Sequence, residues 1–170
     1  MEIRYITSTD SLLDISSVYE NSWRYAYKNI IPQDYLDSIP SGRWAGSISR
    51  SGMRNLVMTE NDRIVGTAGF CSSRWEKYSD CGEVVSIYLL PEYMGKGYGK
   101  QLFRACVDEL RKSGYNRIVL WVLEENQRAR KFYEKNGFVC TDEYLEDNIG
   151  GKALREIMYI CDCDTGIKST

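Results

Sequence analysis

The chain is 170 residues long, 43% hydrophobic and 27% charged, with a formal net charge of −2 at pH 7, the size and mix of one globular domain with a sizeable core. The missing basic surplus argues against a nucleic-acid partner and favours small soluble substrates. No histidine occurs, which removes every mechanism built on an imidazole base or a Ser-His-Asp set.

In chain order, residues 2–6 alternate as a short first strand. A helix follows, with Ser8, Thr9 and Asp10 as N-cap candidates and Leu12, Ile15, Tyr19, Trp23 and Ala26 on one face. Its end is expected near Tyr27 or Lys28, before the Ile30-Ile31-Pro32 run. Short helices are predicted over 33–38, with Pro32 at the first position, and over 41–50 around Trp44. Residues 56–58 and 64–72 read as a hairpin joined by the polar turn 60–63, with Gly66 and Gly69 marking a bulge or a close backbone approach. Strand 83–90 is nearly all apolar and is expected to be buried on both faces. Beyond it come a helix over 101–112 stopped by Ser113-Gly114, a strand over 117–123, a helix opened by Asn126 and stopped by Asn136-Gly137, and strands over 138–144 and 154–160 around a polar turn, 146–152. The result is a single α/β domain over 1–170, with a mixed sheet of six or seven strands.

The six cysteines form no C-x-x-C pair and, without histidine, cannot complete the common zinc sets. They read as reduced, mostly buried thiols, and no metal is expected. No charged leader with an apolar segment opens the chain and no apolar run approaches the roughly 20 residues that span a bilayer. A cytoplasmic protein with no membrane partner is the expectation.

The stretch V-V-S-I-Y-L-L-P-E-Y-M-G-K-G-Y-G-K, residues 84–100, runs from an apolar strand through alternating glycines into a helix. Turn N–H groups and the first free N–H groups of a helix converge there, which makes an anion site. The dinucleotide fingerprint G-x-G-x-x-G does not fit Gly95, Gly97 and Gly99, and a P-loop would need glycine at Met94 and Ser or Thr at Gln101. The stretch instead resembles the pyrophosphate loop of the GNAT superfamily of acyl-CoA-dependent N-acetyltransferases, Gln or Arg, two residues, Gly, one residue, Gly or Ala, at Met94, Gly97 and Gly99, with Met94 in place of the polar Gln or Arg. A second stretch, Asn126-x-x-Ala129-x-x-x-Tyr133-Glu134-Lys135-x-Gly137-Phe138, is similar to the family's second conserved region in the same order and spacing.

The resemblance implies the GNAT fold, a mainly antiparallel sheet with helices on both faces, and acetyl-CoA as co-substrate. It implies that Gly95, Lys96, Gly97, Tyr98, Gly99 and Lys100, with Met94, hold the diphosphate. The pantetheine arm would run along the edge of the central strand at Ile87, Tyr88 and Leu89, with Asn126 and Ala129 beside it. Tyr133 would be the general acid for the leaving thiolate. Glu83 falls where the histone-modifying branch carries a catalytic glutamate; it or a water chain would be the base and would face the substrate amine. The segment from Trp23 through Ala26, Tyr27, Ile30, Ile31, Pro32 and Tyr35 to Leu36 resembles a subgroup that includes bacterial polyamine acetyltransferases. Tyr27 and Tyr35 are then expected in the amine pocket, with Asp34 or Asp37 adding charge and Trp23 read as core. The implied reaction is acetyl transfer to a small amine such as a polyamine in a ternary complex. A non-catalytic acyl-CoA sensor and a protein lysine or N-terminal acetyltransferase stand as alternatives, and a homodimer through sheet edges as the family's common assembly.

Overall fold

The computed structural model describes residues 1–163. Seven strands, β1 (Glu2–Tyr5), β2 (Arg54–Glu60), β3 (Arg63–Ser72), β4 (Gly82–Leu89), β5 (Arg117–Leu123), β6 (Val139–Ile149) and β7 (Lys152–Asp162), form one sheet in the order β1-β2-β3-β4-β5-β7-β6. Every neighbouring pair is antiparallel except β4 and β5. Five α-helices, α1 (Leu12–Ala26), α2 (Gln33–Ser38), α3 (Ala45–Ile48), α4 (Tyr98–Lys112) and α5 (Gln127–Lys135), and two single-turn 3-10 helices, Glu76–Tyr78 and Pro91–Tyr93, complete the described elements. The mixed, mainly antiparallel α/β sheet expected from the sequence is present.

Strand alternation assigns the helices to faces. On β2, Leu56 and Met58 join the cluster built with Leu102, Phe103 and Leu110 of α4, while Val57 between them packs with Ile15 and Tyr19 of α1. The start of α1 lies later than expected. Ser11 is the cap, its hydroxyl accepting from Asp14 N at 3.2 Å. Asp10 is instead drawn to β1, where Arg4 donates to both carboxylate oxygens at 2.8 Å and Thr7 N donates at 2.7 Å. Those charge-assisted bonds hold the Asp10 carboxyl well below the usual carboxylate range. The predicted helix over 41–50 shrinks to α3. A buried polar knot fastens this segment to α1: Ser16 Oγ donates to Glu20 Oε1 at 2.9 Å, Gly42 N donates to the same oxygen at 2.8 Å, and Trp44 N donates to Ser16 Oγ at 3.0 Å.

The β2–β3 hairpin closes on Asn61 and Asp62, both left-handed, the backbone that matches the twist of tight hairpins. At the other end of the sheet the predicted polar turn 146–152 narrows to Gly150 and Gly151. β6 and β7 stay paired up to Ile149↔Lys152, and their charges, such as Arg155 and Glu146 at 3.6 Å, lie across from one another.

The central strand departs most from expectation. β4 pairs with β5 only at Gly82↔Ile118 and Glu83↔Val119. On its other side the register with β3 shifts, Phe70 facing Val84 and Gly69 facing Ser86, so Val85 is an extra residue in β4. A bulge sharpens twist locally and turns the rest of β4 away from β5. Residues 85 to 88 are therefore half-buried, correcting the reading of a strand buried on both faces. All six cysteines are free thiols, Cys140 exposed and the others buried. Among the described residues no helix is long and apolar enough to cross a membrane.

Of the glycines in the strands, Gly66 leaves the least room for a side chain. A Cβ there would stand 2.5 Å from Leu89 Cδ2 and 3.3 Å from Met58 Cβ. Gly66→Val is expected to destabilise the fold by about 1–3 kcal/mol through overpacking, read as a lower urea midpoint at unchanged slope.

Candidate active site

The separation of β4 from β5 opens a cavity of about 380 Å³. Alternate backbone N–H and C=O groups of β4 beyond Glu83 face it without a strand partner on that side. These include the edge at Ile87, Tyr88 and Leu89, an open strand that an extended amide-bearing chain can pair with.

At the end of this edge the chain turns through Met94 and the glycines. Gly95 and Gly97 hold left-handed φ of 76° and 86°, and a Cβ at either would meet nothing within 4 Å. Gly97 caps α4 without a side-chain bond. Among the described residues no protein acceptor is found for the backbone N–H groups of residues 95 to 100. A run of unpaired donors at the positive end of a 15-residue helix is an anion cradle, and Lys96 and Lys100 stand exposed beside it. Met94 and Gly99 line the cavity itself, so cradle and cavity are continuous. The Tyr98 ring packs against Tyr93 with centroids 6.2 Å apart, leaving its backbone N–H as the group available to an anion. The residues present thus fit an extended arm ending in a diphosphate.

The facing wall is α5. Asn126 Oδ1 accepts from Ala129 N at 3.1 Å and caps the helix. Among the described residues its amide NH₂ has no hydrogen-bond partner, and Asn126 and Ala129 both line the cavity. Tyr133 is held by rings on several sides, Phe103 at 5.5 Å and Tyr159 at 6.3 Å. Its hydroxyl makes no hydrogen bond among the described residues, and burial pushes its pKa up, so the group stays a proton-bearing donor.

The third wall comes from α1. Trp23 and Tyr27 line the cavity, their rings edge to face at 4.8 Å. Trp23 Nε1 donates to Tyr88 Oη at 3.0 Å. Trp23, read as core from its helical stripe, thus serves both packing and lining. Burial raises the pKa of Tyr27 and of Tyr88, so both hydroxyls stay neutral. Tyr35, expected in the same pocket, is not among the lining residues. α2 lies over the β6–β7 turn, where a Cβ on Gly150 would stand 2.6 Å from Tyr35 Cβ, and Ile149 reaches the cavity instead.

Glu83 is 1% exposed and lines the cavity. It is neither a solvated strand end nor a free carboxylate. Arg74 N and Nε donate to its Oε2 at 3.0 and 3.2 Å, and Arg74 Nη2 donates to Oε1 at 2.7 Å. The guanidinium fork reaches both oxygens. Arg74 was not singled out because its partner stands nine residues away across a loop, and no local spacing announces the pair.

Further lining residues escaped sequence reasoning, among them Trp75 and Trp121, with centroids 4.9 Å apart, and Glu156 of β7. Both indole N–H groups are buried with no acceptor among the described residues. Glu156 did carry a legible signal. It stands in phase with Leu154, Met158 and Ile160, an acid inside an apolar stripe.

A mixed sheet split beside its central strand, with an anion cradle where that strand ends, is the architecture of an acyl-coenzyme A-dependent acyltransferase. Residues 15–138 match the acetyltransferase (GNAT) family, and the chain belongs to it. It is 29% identical to an uncharacterized N-acetyltransferase, YuaI, of Bacillus subtilis, covering 87% of this chain and 86% of that one. It is 26% identical to a spermidine N(1)-acetyltransferase of Thermoplasma acidophilum, covering 94% and 98%. The crystal structure of PaiA N-acetyltransferase from Thermoplasma acidophilum in complex with coenzyme A superposes with a TM-score of 0.74 at 23% identity, covering 95% and 99%. The protein is an acetyl-CoA-dependent N-acetyltransferase, the coenzyme supplying the acetyl group as a thioester.

Gly97→Val is expected to lose about 1–2 kcal/mol of stability from its left-handed backbone and to weaken coenzyme A binding about tenfold or more by filling the cradle, both measurable by melting and calorimetry. Met94→Gln is expected to change the coenzyme A Kd by less than about threefold, because backbone N–H groups carry the anion.

Proposed function

We propose that the acceptor is a primary amine on a small molecule, a polyamine-like alkylamine being the favoured class, and that transfer is direct within a complex holding both substrates. The observation that carries this reading is the make-up of the cavity: it continues from the anion cradle to the aromatic wall of Trp23 and Tyr27, and no cysteine lines it. Among the described residues no thiol lines the cavity to carry the acetyl group, which supports a direct meeting of amine and thioester. The aromatic faces suit an alkylammonium through cation–π attraction, and the likeness to a spermidine N(1)-acetyltransferase supports the same class.

In this reading residues 95 to 100 and Lys96 and Lys100 hold the diphosphate. The open edge of β4 at Ile87, Tyr88 and Leu89 and the Asn126 amide orient the arm. Tyr133 holds its proton against the neutral to alkaline range, because burial raises its pKa, and gives it to the departing sulfur. Such positioned proton transfer contributes about 10²–10⁴ in rate.

Thiol release from acetyl-CoA, measured with a panel of polyamines, aminoglycosides and amino acids, tests the proposal. Acceleration by a small amine supports it, and a uniform lack of acceleration points to a binding module without turnover. Tyr133→Phe is expected to lower kcat about 10²-fold while leaving the coenzyme A Kd unchanged by calorimetry; an unchanged kcat removes Tyr133 from the acid role.

A further inference from the structure

Glu156 is a carboxylate that the fold places in the cavity and gives nothing to bind. Its register on β7 puts it opposite Leu123 of β5. The same register places Glu83 beside Val119, at the closed base of the split, so Glu156 lies toward the end where the strands have parted. Cross-strand partners share a face, so Glu83, Val119, Trp121, Leu123 and Glu156 all look to one side of the sheet. The neighbours in phase on its own strand, Leu154 and Met158, are buried and apolar. An acid in such a stripe costs stability unless paired, yet among the described residues Glu156 has no ion-pair or hydrogen-bond partner. Glu83 on the same face is occupied by Arg74 at both oxygens.

We propose that Glu156 is the acceptor-side catalytic carboxylate: it binds the incoming ammonium in the split and takes one of its protons. The step balances as an ammonium and a carboxylate becoming a neutral amine, with its lone pair free, and a carboxylic acid that returns the proton to solvent. Glu83 is then a positioning residue that fixes Arg74 and the loop carrying Trp75. The assignment rests on the amine-acetyltransferase reading above and replaces Glu83 as the base within it.

The electrostatic setting suits the task. Burial raises the pKa of Glu156, Asp147 on β6 raises it further, and Arg74 opposes both. From α1 the neutral Tyr27 faces it, and Arg128 and Tyr133 of α5 line the same cavity; its β5 partner Leu123 is uncharged. A carboxylate with a raised pKa is the better proton acceptor near neutrality. Because the shift favours the protonated form in the folded state, ionisation of Glu156 costs stability as the pH rises through its folded pKa. Removing the charge should not weaken the fold.

The test uses the full chain, acetyl-CoA and two probes, spermidine and the tripeptide Ala-Ala-Ala, with thiol release followed from pH 5 to 9. Wild-type kcat/KM is expected to show an acid limb above the ordinary carboxylate range. Glu156→Gln should lower kcat/KM for the accepted amine about 30-fold or more at pH 7, abolish that limb, and leave a rate that climbs with pH as free amine accumulates. Its coenzyme A Kd and its melting midpoint should be unchanged or improved. Glu83→Gln should leave the limb in place. An E156Q variant with wild-type kcat/KM and limb overturns the inference while leaving the amine-acetyltransferase reading intact, and so does loss of the limb in E83Q alone. If the wild-type protein binds coenzyme A but neither these probes nor any amine of the panel above accelerates thiol release, both readings fall.

Discussion

Two parallel strands that pair at only Gly82 and Glu83 before parting set the terms for everything else in this protein. Backbone N–H and C=O groups demand partners, and a sheet that opens in its middle leaves a row of them facing a gap. That gap is tolerable because it is closed off by other elements: α1 with Trp23 and Tyr27, α5 with Asn126 and Tyr133, and β7 with Glu156. The extra residue at Val85 supplies the bend, and the antiparallel pairing of β4 with β3 on its other side keeps the strand in the sheet. A ligand that brings its own amide groups would complete the missing pairing, so in the proposed reading the fold's structural deficit and its coenzyme site coincide.

Charge is handled differently on the two sides of the gap. On the cradle side the donors are backbone N–H groups at residues 95 to 100 and the start of α4, which cannot titrate and cannot be lost to a single side-chain change. On the acceptor side the charges are side chains. Arg74 and Glu83 neutralise each other in a fork, whereas Glu156 is left to burial alone and to the opposing influences of Asp147 and Arg74. The same α1 that carries the aromatic wall is tied to the 42–44 segment by the Ser16 and Glu20 knot, so the wall is anchored by buried polar bonds and not by apolar contact alone.

Much of this was legible before the structure. The order of helices and strands and the cap at Asn126 are local matters of propensity and spacing and fall where they were expected, whereas α4 begins at Tyr98, three residues before the expected start at 101, with Gly97 as its cap. The misses have a common origin. Asp10 was a plausible cap until Arg4 on a neighbouring strand claimed it. Tyr35 sat at a suggestive spacing from Tyr27, but α2 packs over the distant Gly150 turn. Strand 83–90 read as doubly buried because its composition is apolar, and composition carries no record of which neighbour will fall away.

By itself the sequence determined the mixed α/β class with six or seven strands and the glycine turn at residues 95–99 running into a helix, because each rests on propensity and spacing within a few residues of chain. The link from that turn to the Asn126 and Tyr133 stretch was carried by the family resemblance. Only the tertiary structure decided which acids are available in the cleft. Whether Glu83 or Glu156 is free depends on Arg74 arriving from a loop, on a bulge at Val85 and on strand register across β5 and β7. Those are long-range pairings, and no local pattern of residues encodes them.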